Sequence, residues 1–492
     1  MCLALVLLAA PAGGAFAQEE ESRPSVASEA EDAAEGDAWD EPALMGFGEF
    51  MRAAAVAGTY TLLSNVALMY INGLVFEIHW AFPSPASMRS NISTFIRGEW
   101  IWENRGGFLV NQFGHPVQGF TYFAAGRVAG LDFYGSIFWS AAGSFGWETF
   151  HANQPGSIND FISTTLAGVS LGEIMFRLHA QAISAGVPPL LAGLFNPVSG
   201  SYAVLSGRPT PAVPNNMHDF QARLSASYAS TDYFAEGAPL PEREEIWNNG
   251  AFFPDLGIRA VYGDPFIQNT RVPYRHFEFD FFFGTDLSTH NDLRLFSDGY
   301  LLSFSPLHTE TSALSHGLSL HYDLAWIGTY NLYNATINMY NNALAWTVKY
   351  RRQLSKNIAW SARAHAGATF FGVHKYLDTQ YPPDYERERN SFGYGAMFKH
   401  LSTLDLNARA RLDLNNFFYF QWPYPETLSP AEGFAWWQMH DASFSYLVSP
   451  GVSLGAAFSF IAERGGFRDF PSTEKNHWAA RAFVAWNWRR DK

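Results

Sequence analysis

Cysteine is nearly missing from this chain: one residue in 492, at position 2. Disulfides, thiolate metal sites and cysteine nucleophiles are therefore excluded from everything that follows it. Charge is scarce as well, at 16% of residues, against about a quarter in ordinary soluble domains. Much of it sits in one place, because Gln18 to Glu41 carries ten Asp/Glu against the single Arg23, a net of −9 within a chain total of −14. Such a stretch cannot bury a core and reads as a disordered tether. The remainder is close to neutral, which leaves no support for a nucleic-acid partner. The first apolar run, residues 2–10 (CLALVLLAA), is too short to span a bilayer. Followed by Ala15-Phe16-Ala17, it reads as a secretory signal cleaved before Gln18, with Cys2 leaving alongside it. The Lys/Arg segment that usually precedes such a core is missing, which points to a true start upstream of Met1.

Aromatic residues are plentiful: 43 Phe and 16 Trp suit the girdles of a membrane protein, although a large soluble sandwich also uses them. The spacing of side chains is more decisive. From about Phe220 to the end, apolar and polar residues alternate with a period of two. In the last segment Trp478, Ala480, Ala482, Val484, Trp486 and Trp488 share one face, and Ala479, Arg481, Phe483, Ala485 and Asn487 share the other. A strand in lipid must hydrogen-bond its whole backbone to neighbours, and only a closed barrel allows every strand to do so. The alternation predicts about twelve strands, centred near 224, 258, 279, 300, 320, 347, 364, 397, 410, 440, 457 and 483. Short connections at 355–357, 402–403 and 449–451 interleave with long ones at 372–390, 421–432 and 464–476, the expected contrast between periplasmic turns and external loops. Arg223, Arg259, Glu278, Asp280, Arg363, Arg409 and Arg481 fall on the lumen-facing parity. They suit a wet interior or the selection of a solute equally well.

Upstream the periodicity is helical. Ala53 to Phe76 carries no charge but contains Thr59, Thr61, Ser64, Asn65 and Asn72, so it is expected to be a helix buried by protein. A true inner-membrane span is rejected because the insertion machinery would retain it and the barrel would not reach the outer membrane. Further helices are predicted at Pro116–Ala129, Phe133–Phe150 and Ile158–Ala180, with a short ordered piece within Leu190–Leu205. Gly143, Gly146, Gly168 and Gly172 allow close helix contacts. The expected organisation is a signal (1–17), an acidic tether (18–44), a helical periplasmic domain (45–207) and a membrane β-barrel (208–492). Twelve strands enclose too narrow a lumen for all the helices, so the helical domain is expected beneath the barrel with at most one segment inserted.

The densest polar constellation is helical: Asn111, Gln112 and His115, then Glu148, then Asn159 and Asp160, with Thr164 and Glu173 beyond. Asp160, Thr164, Gly168 and Gly172 are four apart and share a helix face. His115, Glu148 and Asp160 are the residue types of a general acid/base set or a carboxylate–His metal site. A structural reading is available for each. Ser157 to Asp160 fits a capping box, His115 before Pro116 suits a cap, Glu148 can pair with Arg127, and Glu173 with Arg177. No metal and no cofactor is therefore assigned. His400-Leu401-Ser402 is similar to the His-x-Ser pair of outer-membrane phospholipases, but it falls at an expected periplasmic turn and shows no clear partner Asn.

In the motifs Asn111-Gln112-Phe113-Gly114-His115-Pro116, Trp147-Glu148, Ser157-Ile158-Asn159-Asp160 with Ser163-Thr164-Thr165, and Leu171-Gly172-Glu173, the chain resembles an uncharacterised family of Gram-negative envelope proteins. That family is known as a domain of unknown function, and the resemblance covers roughly residues 60 to 205, including Asn196-Pro197 and Gly200. It implies an outer-membrane setting without an established activity. The order His115, Glu148, Pro155-Gly156, Asp160, Gly168, Gly172 is more loosely similar to the VanZ-like membrane proteins. The sequence thus predicts an outer-membrane β-barrel of a Gram-negative bacterium, inserted by the barrel-assembly machinery among outer-membrane lipids. Its expected role is passage or docking of an envelope component, a solute or a periplasmic partner. The alternatives are an envelope hydrolase acting on lipid or cell wall, centred on His115, Glu148 and Asp160, and a structural membrane anchor.

Overall fold

The computed structural model describes residues 46–70, 84–102, 107–150, 156–207, 216–235, 250–267, 269–287, 290–329, 335–377, 388–407, 409–424, 433–468 and 470–489. The segments expected to form the signal (1–17) and the acidic tether (18–44) lie outside them. The chain divides into two units that meet between Asn216 and Met217.

The second unit is a closed barrel of twelve antiparallel strands, each paired with its neighbours in sequence. They are β1 (Met217–Ala235), β2 (Ala251–Tyr262), β3 (Phe277–Thr285), β4 (His290–His308), β5 (Ser312–Thr329) and β6 (Ala335–Ser355), followed by β7 (Ile358–Leu377), β8 (Glu388–Leu406), β9 (Ala410–Pro423), β10 (Gly433–Ser449), β11 (Val452–Phe467) and β12 (Phe470–Arg489). The seam is made by β1 against β12, in register from Asp219 opposite Arg489 to Ala235 opposite Thr473. The alternation places side chains as expected: Ala479, Arg481, Phe483 and Ala485 are buried, whereas Leu224, Phe398, Phe420, Phe444, Phe458 and Trp486 are exposed on the outer face. This is the outer wall of a membrane barrel. Aromatics gather toward both rims, with Tyr350 against Trp360 at one and Tyr228 against Phe252 and Trp478 at the other.

Three details of the expected layout are corrected. The β8–β9 reversal falls after Leu406, not at 402–403, so His400 and Ser402 lie within β8. Residues 464–476 are not a long loop, because β11 and β12 stay paired as far as Phe467 opposite Phe470. Their extension is held from inside, where buried Lys475 lies 3.3 Å from Glu463 and donates to the Thr336 carbonyl at 2.8 Å. The lumen is also not uniformly wet. Ile327, Ile337, Met397, Phe417, Trp437, Met439 and Ile461, from β5, β6, β8, β9, β10 and β11, join one buried apolar cluster inside the barrel.

The first unit is helical: α1 (Phe47–Tyr70), α2 (Pro85–Ile96), α3 (His115–Val128), α4 (Phe133–Phe150), α5 (Ile158–Ser184), α6 (Pro189–Ala192) and α7 (Pro197–Ser206), with a π-helical turn at Val110–Gly114 leading into α3. α4 has the bounds that the periodicity predicts, whereas α2 and the π turn carry no periodicity strong enough to announce them. α1 corrects an expectation. Only Ala53 and Ala57 are buried, while Phe47, Phe50, Met51, Leu62, Leu63, Val66 and Tyr70 are exposed. Thr61 and Asn65 serve one side, where Trp139 donates to Thr61 at 2.9 Å and Tyr122 bonds Asn65, while exposed Thr59 donates to its own helix at the Ala55 carbonyl. α1 and α5 are both long and apolar enough to cross a membrane by length and composition, but α5 is buried within its unit.

Helices α3 and α5 touch backbone to backbone at Gly119 and Gly168. A Cβ on Gly119 would meet the Thr164 carbonyl, and one on Gly168 would lie 2.7 Å from the Gly119 Cα. Backbone cannot yield as a side-chain tip does, so Gly168→Ala is expected to cost at least about 1–3 kcal/mol. Hydrogen exchange on the full chain should show lost protection in α3 and α5 with the barrel amides unaffected; unchanged protection would refute the close contact.

Candidate functional site

The Gly119–Gly168 contact sets the geometry of the helical polar core, because one turn before it on each helix stand His115 and Thr164. His115 Nδ1 lies 3.1 Å from Thr164 Oγ1, and its Nε2 lies 3.7 Å from Asp160 Oδ2. The imidazole thus bridges a hydroxyl and a carboxylate four residues apart on α5. It is not a helix cap, since the π turn runs straight into α3 and the cap position is Gly114 without a side-chain bond. Asp160 is fixed by Asn159 Nδ2 at 2.8 Å, and its backbone N–H donates to Ser157 Oγ, which caps α5 as the spacing predicts. Ser163 Oγ donates to the Asn111 carbonyl at 3.1 Å, tying the π turn to α5. Gln112 in that turn is fully buried.

Glu148 joins this network through Ser157. Its Oε2 accepts from the Ser157 backbone N–H at 2.8 Å, placing a carboxylate at the start of α5, where the helix dipole favours it. Arg127 lies 3.1 Å from Glu173, which also accepts from Arg177 at 2.7 Å. Burial holds the Tyr122 phenol well above its usual range and lowers His179 below its own, so both are neutral at pH 7.

Chemically, hydroxyl, imidazole and carboxylate stand in the order of nucleophile, base and orienting group. The structure brings together His115, Asp160 and Thr164 from the candidates. Glu148 connects to them through Ser157, and Glu173 stands in an ion triad. Thr164 is 1% exposed, so its hydroxyl also acts as a structural tie between α3 and α5.

In the barrel, Arg223, Arg259, Glu278, Asp280, Arg363 and Arg481 line two lumen cavities. Arg409 does not. It is exposed in the β8–β9 turn, because β9 begins one residue later and its inward side chains are Arg411 and Asp413. Sequence reasoning missed the partners that cross the lumen. Lys349 on β6 reaches Glu278 on β3 at 2.8 Å, Lys399 on β8 reaches Asp323 on β5 at 2.5 Å, and Arg294 on β4 reaches Asp441 on β10 at 3.4 Å. Their inward parity was legible; which strands would face one another was not. On the outer wall, Ser402 accepts from Trp360 Nε1 at 2.9 Å. Asn416, opposite His400, is engaged by His440 at 2.8 Å.

Residues 99–188 match the family model described as Domain of unknown function (DUF3943). The match covers α3, α4 and all of α5, and with them the His115 and Glu173 clusters; Asn196-Pro197 and Gly200 fall outside it. No curated protein matches the chain. Solved structures similar to it are membrane barrels. The NanC porin is 8% identical with a TM-score of 0.27, covering 53% of this chain and 98% of its own. The β domain of the Bordetella autotransporter BrkA is 11% identical with a TM-score of 0.25, covering 55% and 100%. The P. putida toluene transporter TodX is 9% identical with a TM-score of 0.22, covering 59% and 92%. Scores this low say nothing about activity.

Removing one member of a buried ion set leaves the others uncompensated, typically at about 3–5 kcal/mol. Glu173→Ala is therefore expected to unfold the helical unit under conditions where the barrel still migrates as a heat-modifiable band. Protease sensitivity of residues 107–206 in the full chain is the readout, and wild-type resistance would contradict the role given to Glu173.

Proposed function

We propose that the chain is an outer-membrane barrel of a Gram-negative cell that docks an envelope component and does not act as an open diffusion pore. The helical unit is read as periplasmic, continuous with β1 at the rim where β12 also ends, and the barrel-assembly machinery is read as the inserting partner. The observation that carries the docking reading is the filled lumen. The apolar cluster around Phe417 and Trp437 is buried, and Phe296 on β4 packs against Phe417 on β9 with ring centroids 5.2 Å apart. Asp323, Glu463 and Lys475 are all fully buried in the same interior. A column of water for solute diffusion is incompatible with side chains packed in this way.

In planar bilayers the purified full chain is expected to show no steady single-channel conductance. Emptying the cluster with Phe417→Ala, Met397→Ala and Trp437→Ala together should produce one. Steady conductance from the wild type would overturn the closed reading and favour passage.

The hydrolase reading has one observation in its favour, the ordered trio Thr164, His115 and Asp160. It requires Thr164→Val and His115→Ala to abolish hydrolysis of a phospholipid or peptidoglycan substrate while hydrogen exchange in α3 and α5 stays near wild type. Equal loss of protection in both variants, with no activity to lose, would reduce the trio to a helix tie.

A further inference from the structure

One lumen cavity, of about 140 Å³, has four guanidinium groups in its lining: Arg223, Arg259, Arg294 and Arg481. Two are spent. Arg294 holds Asp292 through two N–H groups at 2.7 Å each, and Arg481 donates to Ser459 at 2.6 Å and to Asp292 at 2.8 Å. Arg259 stands among Glu278, Asp280 and Asp413 at 3.9, 4.0 and 3.9 Å, beyond hydrogen-bond reach. Arg223 has no ion pair and no hydrogen bond among the described residues, and its Nε is buried without a partner. It is held by aromatic faces, 5.7 Å from the Phe282 centroid and 5.1 Å from that of Phe483. Glycine at 257 makes room for it, since a Cβ there would lie 3.1 Å from the Arg223 Nε.

Most carboxylates of this wall are committed elsewhere. Asp441 faces Arg294, and Asp413 accepts from Thr403 at 2.6 Å and Arg411 at 3.1 Å. Asp280 lies 4.0 Å from Arg259, without a hydrogen bond to it, and feels the charge of Arg223 as well. Ring faces attract a guanidinium but accept none of its five N–H donors. A cation built into a barrel interior with its donors unspent is a recognition group awaiting an acceptor.

We infer that this cavity binds an oxyanion, a carboxylate or phosphate group carried by a small envelope molecule, with Arg223 as the bidentate fork and Arg259 as the second cation. The inference rests on the docking reading and names the chemistry of what docks. A neighbouring cavity of about 170 Å³ shares Arg259 and is lined by Lys349, Arg351, Arg363 and Arg411. Its other walls include His218 and Asp219 at the start of β1, so it opens toward the rim where that strand begins. Asp219, Glu278 and Asp405 also line it, so its five cations outnumber its three carboxylates and leave an excess of positive charge that favours an anion.

The test is calorimetric titration of the full chain in an uncharged detergent at constant ionic strength, with inorganic phosphate in one arm and acetate in the other. Saturable one-to-one binding in either arm is expected. Phosphate alone would assign a phosphate-bearing ligand, acetate alone a carboxylate, and both a general oxyanion socket. Arg223→Met should weaken binding roughly tenfold or more, and Arg223→Lys should fall between, keeping the charge but losing the fork. Phe483→Leu, which leaves all charges in place, covers the case in which Arg223→Met fails to give a heat-modifiable barrel; it should weaken binding several-fold. Absence of saturable binding in both arms, or Arg223→Met within twofold of wild type, would overturn the inference. Conductance separates the two ideas: an open channel that still binds phosphate would remove the docking reading and leave the Arg223 site standing.

Discussion

Every other feature of the second unit depends on the closure of β1 against β12. Backbone N–H and C=O groups in hydrocarbon have no water to bond, so an open edge would be prohibitive and the seam must be continuous. It is in register along the whole described overlap, from Asp219 and Arg489 to Ala235 and Thr473. Once the ring is shut, the period of two leaves no choice about direction. One residue class faces lipid and the next faces the axis, and a twelve-strand ring brings inward side chains from opposite walls within reach of each other.

That reach decides the character of the interior. Long cationic side chains on β4, β6 and β8 find carboxylates several strands away, while Met, Phe and Trp on the same inward parity pack into a dry cluster. An ion pair in such a place contributes little net stability, because desolvation offsets most of the attraction. Barrel closure sets which strands face one another, the pairs form where opposite charges then meet, and Arg223 is left without an ion pair among the described residues. The helical unit obeys the same logic on a smaller scale. The Gly119–Gly168 contact brings two backbones together, and His115, Thr164, Arg127 and Glu173 then meet because they lie one or two turns from it.

Strand number, strand faces and most helices were legible because each depends on local period and local breakers. The β12 faces, the α4 bounds and six of the seven lumen positions follow from parity alone. Arg409 failed because a single residue of shift at a reversal moves a side chain off the strand. Residues 464–476 were misread as a loop because Glu463, Thr473 and Lys475 look like loop residues until their inward burial is known. α1 was misread for the converse reason, since a stretch without charge, as from Ala53 onward, looks buried whichever side its Thr and Asn residues serve.

By itself the sequence determined the class of fold, since a two-residue period over strands of bilayer length admits no other closed arrangement in lipid. It also determined the inventory of chemistry: a single cysteine at position 2, few charges, and His, Asp and Glu in a Gly-rich helical stretch. Pairing was decided by the tertiary structure alone. That Arg127 meets Glu173, that apolar side chains from six strands cluster inside the barrel, and that Arg223 is left between two phenyl rings depend on which distant segments face each other. Local periodicity carries no information about that, because the contacts span from tens to hundreds of residues and are set by barrel closure and helix crossing.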